Sequence, residues 1–76
     1  MPKLPQISGA EMRRILIRLG FQYVGGKGSH MKFVRLSSMG EKESIVVPNH
    51  KILKKGMLHD ILKKLGIRIE KFKELI

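Results

Sequence analysis

Apolar positions early in the chain fall at helical spacing. Met12, Ile15, Leu16 and Leu19 are separated by three, one and three positions, which is one face of a helix. Ser8-Gly9-Ala10-Glu11, just ahead of them, has the form of a capping box, and Gly20 is a natural stop. The pattern predicts a first helix over 8–19. From Phe21 to Val24 the residues alternate, and Gly25-Gly26-Lys27-Gly28 follows, which reads as a hairpin turn. The next strand, 29–35, places Met31 and Phe33 on one face and His30, Lys32 and Val34 on the other. A polar loop over 36–43, with Gly40 at its tip, precedes a third strand over 44–47 that Pro48 closes by removing a donor. Residues 49–55 read as an irregular basic loop. A second helix over 57–65 carries Leu58, Ile61, Leu62 and Leu65 and stops at Gly66. A short last helix over 69–75 is expected, anchored by Phe72 and Ile76.

The expected fold class is α+β. It comprises a helix, three antiparallel strands, a helix and a short helical tail, in one domain over 1–76 without repeats or linkers. Packing both helices on one face of the sheet is the simplest way to bury these stripes. That α-β-β-β-α order is also the arrangement of double-stranded-RNA-binding domains, an analogy of fold that does not fix function.

Charge changes the picture more than size does. Sixteen Lys and Arg against six Asp and Glu give a formal net charge of +10 on 76 residues. Hydrophobic residues are 42% of the chain, so it is not a disordered polybasic tail. The excess favours a polyanion partner. Cysteine is absent, which excludes disulfide scaffolds, Cys-ligated zinc and thiol nucleophiles. The longest apolar runs are three residues, Ile15-Leu16-Ile17 and Ile45-Val46-Val47, far short of a membrane-spanning helix. The Met1-Pro2-Lys3-Leu4-Pro5 start lacks the apolar stretch of a signal peptide, so a cytoplasmic location is expected.

Gly28-Ser29-His30 is the tripeptide with the clearest chemical potential. By strand parity His30 points away from the core, and an exposed imidazole beside glycines suits proton transfer. The glycines admit a phosphodiester close to the backbone, and their amides can bind its oxygens. Lys27 and Lys32 flank His30 and suit phosphate. The plainer reading of the same residues is a solvated strand histidine after a glycine turn. Pro48-Asn49-His50-Lys51 forms a second cluster, with His50 a phosphate contact, a proton donor or a loop histidine. Lys54-Lys55-Gly56 ahead of the second helix combines ammonium groups with helix-terminal amides. Arg13, Arg14 and Arg18 extend the basic stripe along the first helix. The six carboxylates are scattered, which argues against a two-metal nuclease, and no metal ligands or cofactor are expected. A Walker-type loop is absent. The four aromatic residues, Phe21, Tyr23, Phe33 and Phe72, serve mostly the core, which leaves no base-stacking platform.

Several of these segments together resemble one family. Ser8 to Gly20-Phe21, Gly28-Ser29-His30, Val47-Pro48-Asn49-His50, Gly56 to Ile61-Leu62 and Gly66-Ile67 are similar to the HicA family. These are small mRNA interferase toxins of type II toxin–antitoxin modules. The resemblance implies a double-stranded-RNA-binding-like fold and cleavage of mRNA. It implies a catalytic role for His30, with Gly28 and Ser29 as its motif neighbours. It also implies a HicB-like antitoxin that masks His30 in a hetero-oligomer, the free toxin being a monomer. One departure is Met57, where the family often carries a small hydroxyl residue suited to capping the second helix; Gly56 is the expected cap instead. The competing classes are a non-catalytic module that binds double-stranded RNA and an interaction subunit whose basic face docks an acidic protein.

Overall fold

The computed structural model describes residues 3–76. Met1 and Pro2, which begin the segment expected to lack a signal peptide, lie outside the described residues. The order is α1 (Gly9–Arg18), β1 (Gln22–Gly25), β2 (His30–Leu36), β3 (Lys42–Pro48), α2 (Lys55–Leu65) and α3 (Ile69–Leu75). The strands form one antiparallel sheet in the order β1-β2-β3. No helix is long and apolar enough to cross a membrane among the described residues.

The capping box forms at α1. The Glu11 amide donates to Ser8 Oγ and the Ser8 amide donates to the Glu11 carboxylate, each at 3.1 Å. Met12, Ile15 and Leu16 are buried on its inner face. Gly20, at φ +96°, turns the chain. Phe21 then enters the core rather than the first strand: it is buried, and its amide donates to the Leu16 carbonyl at 2.9 Å. In β2, Met31 and Phe33 are buried while His30 and Lys32 are exposed. Ile45 and Val47 of β3 join the inner face. Leu58, Ile61 and Leu62 of α2 and Phe72 of α3 complete one cluster with α1 and the sheet. All three helices therefore serve the same side of the sheet. Leu19 and Leu65, expected in the helical stripes, are only partly buried at the margin of this cluster.

Three sequence expectations are corrected. The third strand is longer than 44–47. Leu36 pairs with Lys42 and Arg35 with Glu43, and Arg35 Nε meets Glu43 Oε1 at 2.9 Å, so polar residues continue the ladder into the hairpin. The second helix starts at Lys55, with Lys54 as N-cap and no side-chain cap bond, so Gly56 is helical rather than the cap. Its start is set by tertiary anchoring. Leu53, in the stretch read as an irregular loop, is buried and donates its amide to the Ile7 carbonyl at 2.8 Å. Ile76 is half-exposed, and Phe72 alone anchors the α3 stripe in full burial.

Candidate active site

The candidate residues gather where β2 begins and β3 ends. Lys27 to His30 form a tight turn closed by the His30 amide on the Lys27 carbonyl at 3.0 Å. Gly28 is its second residue, at φ +60°, which fits the primed turns that hairpins favour and that glycine adopts without strain. The turn delivers His30 as the first residue of β2, directly opposite Pro48. One residue further out, the Asn49 amide donates to the Ser29 carbonyl at 2.6 Å. The ladder thus continues past the last formal pair and holds the Pro48-Asn49-His50 segment beside Gly28-Ser29-His30.

The entrance of α1 locks the same corner from behind. The Gly9 amide donates to the His50 carbonyl at 2.9 Å. A Cβ on Gly9 would run into the Pro48 carbonyl and come within 2.9 Å of Asn49 Cα. Only a residue without a side chain lets helix and strand end approach this closely. Asn49 stands within the second cluster that the sequence offers, but Gly9 is not among its candidates. Gly9 was legible only as part of the capping box, and nothing local marks its contact with a segment some forty residues away.

Lys27, Gly28, Ser29, His30, Lys32 and His50 are all exposed. Lys32 lies two residues beyond His30 on the same face of β2. Among the described residues the ion pairs are Arg35–Glu43 and Lys71–Glu74, so no carboxylate neutralises the cations around His30. Lys54 and Lys55 are exposed at the start of α2. The neighbouring Leu53–Ile7 backbone bond ties their segment to the stretch just ahead of α1. No three His, Cys, Asp or Glu residues gather as a metal site among the described residues.

The basic stripe on α1 divides. Arg13 sits over the Tyr23 ring at 4.6 Å. Arg18 donates to the Leu75 carbonyl at 3.0 Å and so serves α3 rather than a ligand. Arg35 is a structural cation too. It donates to the Leu19 carbonyl at 2.8 Å, closing the end of α1, and lies 4.3 Å over Phe21. Tyr23 is the most exposed of the aromatic residues, at 44%, with its ring 5.5 Å from that of the buried Phe33, its partner across the strands.

The site is therefore an open, basic surface with an imidazole at a fixed strand start, suited to a phosphate polymer rather than a small enclosed ligand. The family model described as the HicA toxin of bacterial toxin–antitoxin matches residues 9–67. The chain belongs to the HicA toxin family. The match begins at Gly9 and includes the turn, the Pro48–His50 segment and α2. Comparison with curated proteins and with solved structures gives no significant match.

Proposed function

We propose that the protein is a metal-independent endoribonuclease that cleaves mRNA and arrests growth, and that a HicB-like antitoxin restrains it by masking His30. The observation that carries this reading is an exposed His30, set by the Gly28 turn between Lys27 and Lys32, in a chain of the HicA toxin family. His30 takes the proton of a ribose 2′-hydroxyl as that oxygen bonds to phosphorus. The phosphorus–O5′ bond breaks, and the departing oxygen takes a proton from His50, a lysine or water. Lys27, Lys32 and the amides of Gly28 and Ser29 hold the phosphate and stabilise the charge that develops on it. Lys54 and Lys55 hold flanking phosphates. General acid–base catalysis of this kind contributes about 10²–10⁴-fold.

A His30→Ala variant should lose RNA cleavage by about 100-fold or more, while RNA binding and the fold persist. Unchanged cleavage would overturn the assignment. Cleavage by the unaltered protein should survive EDTA. The charge and the order of elements also suit a non-catalytic binder of double-stranded RNA, which would show salt-dependent binding and no cleavage.

A further inference from the structure

The third strand has a free edge with a groove beside it. β3 pairs with β2 on one side, and among the described residues no strand lies on its other side. A groove of about 560 Å³ runs between this edge and α2. It is lined by Ile45 and Val46, consecutive residues that point to opposite faces of the sheet, so it follows the strand's own edge. Met57 and Ile61 supply its apolar floor, and Lys63, Lys64 and the single carboxylate of Asp60 its rim. Val46 and Met57 remain 44% and 38% exposed. Natural sheets usually protect such an edge, because its unpaired amides and carbonyls are a template for another strand.

We propose that this edge is the docking site for an extended segment of an acidic protein partner, which adds to the sheet as a fourth strand beside β3. Backbone pairing would supply the register, and apolar side chains of the segment would cover Val46 and Met57. The charge decides between occupants. A second copy of this chain would bring another +10 against Lys63 and Lys64, whereas an acidic segment is attracted by both. RNA gains little from an apolar floor without an aromatic ring to stack on. β3 ends at Pro48, opposite His30, and neighbouring strands lie about 4.8 Å apart. A strand added at the edge therefore passes about 10 Å from the line of β2 and leads its chain toward the His30 corner. Docking and masking would then be two parts of one contact. The inference rests on the reading of the protein as a toxin held by an antitoxin, but not on the chemistry of His30.

The test uses the full chain and the antitoxin encoded with it, produced together and separately. Amide hydrogen exchange should slow by about tenfold or more at those amides of residues 42–48 that face away from β2, on adding the antitoxin. Met57→Glu should weaken antitoxin binding by about tenfold or more and leave RNA cleavage unchanged. Unaltered exchange at these amides in the complex would overturn the proposal, as would unaltered binding by the Met57 variant. Protection that rises with the concentration of the free chain would assign the edge to a second copy, and protection by RNA alone would assign it to RNA. Either result also overturns the proposal. A chain that shows the expected protection but cleaves no RNA would refute the nuclease reading and leave the docking site standing.

Discussion

The two faces of β2 make opposite use of neighbouring residues. Met31 and Phe33 face the helices and are buried, Phe33 completely. His30 and Lys32 sit between and beside them in sequence, and both are exposed. The inner face is crowded by three helices, so its residues are fixed by packing. On the outer face His30 and Lys32 stay exposed, so they are free to meet a ligand. One strand thus separates stability from chemistry by the simple alternation of side chains. Substitutions on the two faces should fail in different ways, one through folding and the other through function.

The largest effect is expected on the inner face. Phe33→Ala should cost about 3–5 kcal/mol, a large share of the stability of so small a domain, and thermal or urea melting would show the chain largely unfolded. His30→Ala, three residues away, should lose cleavage and leave the same melting curve within about 0.5 kcal/mol. A matching loss of stability would erase the contrast between the faces. Gly9→Ala sharpens the comparison, because it tests the corner where the two roles meet. Its Cβ meets backbone rather than a flexible side chain, so overpacking should cost about 1–3 kcal/mol. Cleavage by the fraction that stays folded should fall as well, because the Pro48–His50 segment shifts relative to His30. Ser8→Ala, which removes one half of the capping box, should cost about 1 kcal/mol with cleavage per folded molecule unchanged. The smallest effect is expected at Lys32. Lys32→Ala should leave stability within about 0.5 kcal/mol and lower the dependence of RNA binding on log salt by about one. An unchanged salt slope would remove Lys32 from the phosphate contacts.

The legibility of the molecule follows the range of the interactions involved. α1 was readable because its cap, stripe and stop are all local: Ser8, Glu11, the Met12–Leu19 spacing and Gly20 lie within thirteen residues. The exposure of His30 followed from the burial of Met31 and Phe33, since parity along a strand leaves one choice. The start of α2 was misread because Lys54 makes no side-chain cap bond. The position is decided instead by Leu53, which is pinned to Ile7 across the domain. Likewise Arg18 counted as part of a basic stripe until α3 placed the Leu75 carbonyl within its reach. A side chain's charge is written in the sequence, but the group that occupies it is not.

By itself the sequence determined the strand and helix types, the inner and outer face of each, and the basic surface that an excess of ten positive charges must create. These depend on periodicity and composition, which are properties of neighbours along the chain. Only the tertiary structure decided that Ser29 and Asn49 bond across the sheet end, that Gly9 holds His50 by its backbone, and that β3 keeps a free edge beside α2. Each of these joins segments far apart in sequence. Their closeness is set by how the helices pack on one face of the sheet, where shape and backbone approach, rather than local preference, select the arrangement.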